Sequence, residues 1–196
     1  MITEKLNLNP DAYLCRRRDR EDIWQYISYS VYGDVIQDYC CIVKDREKVW
    51  KGLLHCNKHS HYIYDYCKMV TDRKEIYRLL IRPNTDPYWY YMYCKNVKDR
   101  EEIWKALAQS THNNAAVWQY WYCKEIKDRE EMWRAIASSK SLISTKYQFN
   151  YCMMVKNRPE VVEALKDSTQ PDRDKYWKAY CQWVKEQEHD NRNNIK

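Results

Sequence analysis

The stretch that decides the fold is Tyr93-Cys94-Lys-Asn-Val97-Lys-Asp99-Arg100-Glu-Glu-Ile-Trp104. Its pattern recurs along the chain, with Val or Ile three positions after the Cys, Asp or Asn and then Arg at five and six, and a large apolar residue at ten. The Tyr-Cys pair occurs at Tyr39-Cys40, Tyr66-Cys67, Tyr93-Cys94, Tyr122-Cys123, Tyr151-Cys152 and Tyr180-Cys181, and Tyr13-Leu14 has the same register. Successive copies are 26 to 29 residues apart, which indicates a repeat architecture.

The first half of each copy carries apolar residues four positions apart, which predicts an amphipathic helix that we call helix A. Two successive copies show it with Trp89, Tyr93 and Val97, and with Trp118, Tyr122 and Ile126. Aromatic runs of this kind also suit β-strands. The four-residue spacing, repeated from copy to copy, favours the helix.

The second half of each copy predicts another helix, helix B. An Asp three residues before a Glu has the spacing of a capping box, in which the Asp caps the helix and the Glu reaches back to it. The pattern occurs as Asp72-Arg-Lys-Glu75, Asp99-Arg-Glu-Glu102 and Asp128-Arg-Glu-Glu131. In Asn157-Arg-Pro-Glu160 the Pro is expected in the first helical turn, where its missing N–H costs little.

Composition supports a helical chain. The 196 residues include only 2 Gly and 5 Pro, so few turns can use the glycine conformations that hairpin-rich β folds need. We therefore predict an all-α fold, an α-solenoid of about seven short helical hairpins that occupies residues 1–185 as a single array. Residues 186–196 are strongly polar and are predicted to form a disordered tail.

The cysteines follow the repeat. One Cys per copy at a fixed apolar position behaves as a small buried hydrophobe, so most of the 9 Cys are predicted to be free thiols. Free thiols indicate an intracellular, reducing compartment, without distinguishing cytoplasm from nucleus. We expect no membrane span and no signal peptide, because no long apolar run occurs and the first residues lack a basic segment followed by an apolar core.

Short motifs give the repeats a resemblance to HAT repeats, a class of helical-hairpin solenoid. They are Trp118-x-x-Trp121 and Trp177-x-x-Tyr180 in helix A and Ile103-Trp104-Lys-Ala106 in helix B. The copies here are shorter than the roughly 34 residues of related helical repeats, so no family is assigned. The resemblance implies a scaffold or binding surface.

One position of helix A varies while its neighbours are constant. Two residues before the Cys column stand Asp38, Asp65, Met92, Trp121, Asn150 and Ala179. Variable positions on a regular scaffold are where a solenoid presents its recognition surface. We predict a protein-binding patch that includes Asp65, Met92, Trp121 and Asn150.

The repeated basic residues allow two interpretations. The column consists of Arg46, Arg73, Arg100, Arg129 and Arg158, with Lys98 and Lys127 two positions before two of them. The main interpretation is a ladder of ion pairs between repeats or a solvated turn. The alternative is contact with phosphates of RNA or single-stranded nucleic acid, with aromatic residues stacking on bases. The net charge of +6 permits nucleic acid without requiring it.

A cluster of potential metal ligands, His55, Cys56, His59 and His61, falls between two repeats. Zn²⁺ accepts such side chains, although the spacing matches no standard finger, and an ordinary polar link is the main interpretation. We find no catalytic signature and expect no enzyme activity, cofactor or small-molecule substrate. The sequence predicts a protein-interaction scaffold that could be a subunit of a larger assembly, with nucleic-acid binding as the alternative.

Overall fold

The computed structural model describes residues 19–56 and 59–193, without side-chain detail at residues 190–193. Over these residues the chain forms twelve α-helices and no β-strand. The all-α prediction is therefore confirmed. The helix A predicted around Tyr13 lies outside the described residues.

The A and B helices alternate along the chain. The A helices are α2 (Gly33–Ile42), α4 (Ser60–Met69), α6 (Pro87–Asn96), α8 (Ala115–Glu125), α10 (Ser144–Met154) and α12 (Arg173–Asn193). The B helices are α1 (Glu21–Ser28), α3 (Glu47–Trp50), α5 (Lys74–Tyr77), α7 (Glu101–Ala108), α9 (Glu130–Ser138) and α11 (Pro159–Lys166). Helices α3 and α5 continue as short 3₁₀ turns, Lys51–Leu54 and Arg78–Leu80.

The chain divides into two compact units, Met1–Thr85 and Asp86–Lys196. Within the second unit α6 packs on α8, α8 on α10 and α10 on α12, while α7 packs on α9 and α9 on α11. In the first unit α2 packs on α4 and α1 on α3. Each unit thus stacks A on A and B on B, as helical hairpins in a repeat do. A single solenoid over residues 1–185 stays a prediction.

The Tyr column forms the centre of each hairpin. Tyr39, Tyr66, Tyr93, Tyr122 and Tyr151 are all at most 1% exposed. The adjacent Cys column and the apolar residues of the B helices, such as Ile103 and Leu107, are buried beside them. Helices this short are marginal alone, so burial between neighbours is what stabilises them.

A lock of three side chains joins successive repeats at the Tyr hydroxyl. The Tyr122 hydroxyl donates to Asp99 Oδ1 of the preceding repeat at 2.6 Å. Arg129 donates through Nε to the Tyr122 hydroxyl at 2.6 Å and through Nη2 to Asp99 Oδ2 at 2.6 Å. The same contacts join Tyr151, Asp128 and Arg158, and join Tyr66, Asp45 and Arg73. Tyr39, Asp19 and Arg46 form a close variant in which Arg46 gives both bonds to the carboxylate.

The guanidinium of the lock also lies over an aromatic ring of the preceding B helix. The Arg129 guanidinium carbon is 4.5 Å from the centroid of Trp104, and that of Arg158 is 4.9 Å from Trp133. In the first unit Arg73 lies 4.9 Å from Trp50 in the same way. Each of these Arg side chains therefore contacts an anion, a hydroxyl and a π-face together. The prediction of an Arg ladder between repeats is confirmed within each unit.

The capping-box prediction is wrong. The residues that cap α5, α7 and α9 are Arg73, Arg100 and Arg129, and none makes a side-chain capping bond. Asp72, Asp99 and Asp128 therefore stand one residue before the cap. Asp99 and Asp128 do not cap their B helices because each carboxylate is bound by the Tyr and the Arg of the next repeat. In the lock each carboxylate accepts from a cationic guanidinium and a buried hydroxyl together, which a cap to backbone N–H groups would leave without an acceptor.

Two buried glutamines form a second lock in the second unit. Gln119 Nε2 donates to the carbonyl oxygens of Leu107 at 3.1 Å and Ala108 at 3.4 Å. Gln148 does the same at the end of α9, at 3.2 Å to both Ile136 and Ala137. These carbonyls belong to the last turn of a B helix, where the only backbone donors are N–H groups just beyond the helix, those of Ser110 to Leu107 and of Ser139 to Ile136. Each Gln therefore closes the end of the B helix that precedes it.

The predicted disordered tail differs from the structure over most of its length. Helix α12 continues to Asn193, so residues 186–193 are helical, and residues 194–196 lie outside the described part. Gln182 Nε2 donates to Glu186 Oε1 at 2.8 Å across one helical turn. Glu186, Gln187 and Glu188 are good helix formers, and adding residues to an existing helix avoids the cost of nucleation, so this polar segment can extend α12.

Removing the carboxylate of a lock is expected to lower the free energy of unfolding substantially. Asp128→Ala leaves the Tyr151 hydroxyl and the Arg158 guanidinium without their acceptor, so the free energy of unfolding should fall by about 2–3 kcal/mol. Urea denaturation followed by circular dichroism measures this. Glu130→Ala, which removes only an exposed pair with Arg134, is the control and should have little effect. Equal losses for the two variants would contradict the role of the lock.

The lock also predicts an acid-sensitive step in stability. Hydrogen bonds from Arg46 and then from Tyr39 lower the pKa of Asp19 from 3.8 to about 2. Because the folded value is the lower one, the stabilisation is present above the unfolded pKa and is lost as the pH falls through the folded pKa. The urea midpoint of the wild type should drop between about pH 4 and pH 2 more steeply than that of Asp19→Asn. Parallel pH profiles for the two proteins would count against this assignment.

Candidate interaction surface

The second unit presents a row of aromatic side chains on its A helices. Trp89 on α6, Trp118 on α8, Tyr147 on α10 and Tyr176 on α12 share one repeat position, five residues before the Cys column, and all are partly exposed. The four-residue spacing predicts that Trp89 and Trp118 lie on the buried apolar stripe of their A helices, with Tyr93 and Tyr122. The structure keeps Tyr122 and Tyr93 of that stripe fully buried but leaves the two Trp at its margin.

The predicted protein-binding residues lie beside this row. Met92, Trp121 and Asn150 occupy equivalent positions on α6, α8 and α10, and each is partly exposed. Since these helices pack side by side, the three residues are expected at intervals of about 8–10 Å. Asp65 is also partly exposed but belongs to α4 in the first unit. We call the row of four aromatics together with Met92, Trp121 and Asn150 the A face.

Ring contacts tie successive helices together beneath and within the A face. Trp118 stacks on Tyr91 with centroids 5.4 Å apart and planes at 28°, and contacts Tyr88 edge-on at 4.9 Å. Tyr120 contacts Tyr147 at 5.7 Å. Phe149 contacts Tyr176 at 5.4 Å. The aromatic layer therefore runs across all four A helices of this unit, and the rings are held in place by one another.

Charged groups are built into this surface. Lys95 Nζ lies 2.6 Å from Glu125 Oε2 and donates to the Tyr91 hydroxyl at 3.1 Å, and that hydroxyl also donates to Glu125. The hydrogen bond from Lys95, and then that from Tyr91, lower the pKa of Glu125. Lys124 lies 4.9 Å from the centroid of Trp121. The face thus combines apolar rings with cationic side chains above and between them.

The Arg residues of the nucleic-acid alternative are occupied by the locks. The side chains of Arg46, Arg73, Arg129 and Arg158 are only 21% to 31% exposed, and each is bonded to an Asp of the preceding repeat. Arg100 donates through Nε to the Tyr93 hydroxyl at 2.9 Å. Lys98 and Lys127 are exposed in the turns between A and B helices. Of this predicted set, the two lysines therefore remain the accessible members.

The His and Cys cluster does not assemble. Over the described residues, no group of three or more His, Cys, Asp or Glu side chains is placed to hold a metal ion. Cys56 is buried and its thiol donates to the Leu53 carbonyl at 3.5 Å, whereas His55 and His59 are exposed. The rings of His59 and His61 are 5.7 Å apart at their centroids.

Comparison with known protein families, curated protein sequences and solved structures finds no match for this chain. In the described part of the chain, no helix combines the length and the apolar character that crossing a membrane requires.

The cysteines that the structure describes are free thiols, and most are buried. Burial raises the pKa of Cys40 and of Cys152 to about 12. A thiol that stays protonated is a poor nucleophile. Cys41 and Cys181 are partly exposed.

This difference predicts selective thiol labelling. With a water-soluble maleimide at neutral pH, Cys41 and Cys181 of the native protein should react while Cys40 and Cys152 stay protected. Mass spectrometry of the digested protein locates the label, and the same reaction in denaturant should modify all of them. Labelling of Cys40 as fast as Cys41 in the native state would refute the burial described above.

Proposed function

We propose that this protein is a non-enzymatic interaction scaffold that binds a protein partner through the A face. The observation that carries the proposal is the row of partly exposed aromatic residues, held rigid by ring contacts, on four successive A helices. Aromatic residues and Met are enriched in the centres of protein interfaces. Rings already fixed by their neighbours lose little side-chain entropy on binding, which favours affinity.

A second candidate function is binding of RNA or single-stranded nucleic acid. The observation in its favour is that three successive turns of the second unit each carry an exposed lysine, Lys98, Lys127 and Lys156. Two features weigh against it. The Arg side chains are engaged with Asp carboxylates, and a face of Trp118 is covered by Tyr91, which reduces what a base could stack on.

The cellular setting belongs to the same proposal. We propose an intracellular, reducing compartment, supported by buried free thiols that repeat along the chain. Membership of a larger assembly would suit a protein whose repeated residues are largely used in folding and whose variable helix A positions are partly exposed.

Capture from native cell extracts tests the function. The full-length protein should retain one or more proteins, and the double variant Met92→Ala, Trp121→Ala should lose about tenfold, as expected when interface hot spots are removed. The matched control, Glu131→Ala with Glu160→Ala, changes two exposed residues of the B helices and should retain binding.

Nuclease treatment of the extract separates the two candidates. Protein capture that survives nuclease but fails with the double variant supports the scaffold. Bound material that nuclease removes, or capture that the double variant leaves unchanged, would overturn it. Circular dichroism of each variant establishes that the fold is retained.

A further inference from the structure

The B helices of the second unit are net acidic, whereas the turns that follow its A helices carry exposed lysines. Each of its three B helices contains two acidic residues and one basic residue: Glu101, Glu102 and Lys105 in α7, Glu130, Glu131 and Arg134 in α9, and Glu160, Glu163 and Lys166 in α11. On the A side, each turn that follows α6, α8 and α10 carries an exposed lysine, namely Lys98, Lys127 and Lys156.

The two sets of basic residues differ in their partners. On the B side, Lys105 lies 2.5 Å from Glu101 and Arg134 lies 2.5 Å from Glu130, each one helical turn away. On the A side, Lys98, Lys127 and Lys156 make no ion pair with any residue that the structure describes. The acidic neighbours in their turns, Asp99 and Asp128, are held by the locks. This leaves the A side with unbalanced positive charge.

These lysines form an edge to the A face. Each stands six residues after the variable position of its own A helix, where Met92, Trp121 and Asn150 lie. Each A helix ends two residues before its lysine, so four helical steps and two further residues separate the two positions by at most about 13 Å, and adjacent helices are roughly 8–10 Å apart. The charged edge and the apolar row are therefore close enough for one short peptide segment to contact both.

We infer that the partner segment recognised by the A face is acidic and carries large apolar side chains. Its apolar residues would pack against Met92 and Trp121, and its carboxylates would meet Lys98, Lys127 and Lys156. Carboxylates complement this edge and are repelled by the acidic B helices, so charge also selects which side of the unit is bound. This inference rests on the proposed function, because it names the class of partner for the same surface.

Selection from a displayed library of random peptides, with the immobilised full-length protein as bait, tests the inference. We expect the enriched peptides to contain an excess of Asp and Glu together with Trp, Phe or Leu. Their affinity should fall about tenfold for the triple variant Lys98→Gln, Lys127→Gln, Lys156→Gln, and should weaken with added salt. The matched control Lys105→Gln, Arg134→Gln, Lys166→Gln removes the same charge from the B side and should bind as the wild type does.

The outcomes separate this inference from the proposed function. Enriched peptides that need Trp121 but show no acidic excess would overturn the acidic partner and leave the scaffold standing. Failure to enrich any peptide would overturn both. A fluorescent 20-nucleotide uridine oligomer serves as the second probe. If it binds more tightly than the best peptide and loses affinity in the first triple variant, the surface is a nucleic-acid site instead.

Discussion

The hydrogen-bonded lock of Tyr, Asp and Arg is the interaction on which the repeats depend. A Tyr hydroxyl at the centre of one hairpin would be buried at a cost of a few kcal/mol without a partner. The Asp of the preceding hairpin accepts a hydrogen bond from this hydroxyl, and the Arg seven residues after the Tyr neutralises that Asp. Because the three groups come from two successive repeats, the lock specifies how one repeat sits on the next.

The last copy of the lock, at Tyr180, also keeps the Tyr hydroxyl hydrogen-bonded and avoids an unpaired charge. Tyr180 donates to Asn157 at 2.9 Å, where earlier copies have Asp. The position seven residues after Tyr180 is Gln187, so this copy lacks the Arg that would neutralise a carboxylate. The neutral amide of Asn157 still accepts a hydrogen bond from the Tyr180 hydroxyl, and it leaves no partly buried charge without a counter-ion. The change from Asp to Asn and the loss of the Arg therefore compensate each other.

The locks also determine where function can lie. Side chains that repeat most regularly are used to hold hairpins together, which leaves the partly exposed and variable positions of the A helices for recognition. The two sides of the second unit then differ in chemistry. The B helices pair their basic residues internally, as Lys105 with Glu101, and keep an excess of acidic residues, whereas the A side combines aromatic rings with uncompensated lysines. A rigid, amphipathic and basic surface suits a partner of complementary composition.

The sequence by itself determined the helical class, the A and B helices and most of the buried positions, because spacing within about 12 residues specifies which side chains share a helix face. It also identified Met92, Trp121 and Asn150 as a variable position of helix A, and the structure leaves all three partly exposed. Only the tertiary structure decided what Asp99 and Asp128 bind. Each carboxylate accepts hydrogen bonds from the Tyr and the Arg of the next repeat, and it does not cap the helix that follows it in sequence. The tertiary structure likewise decided that Trp118 lies at the margin of the core and that Gln119 closes a helix end. These outcomes depend on contacts between residues of different repeats, and local spacing carries no information about how one hairpin is placed on another.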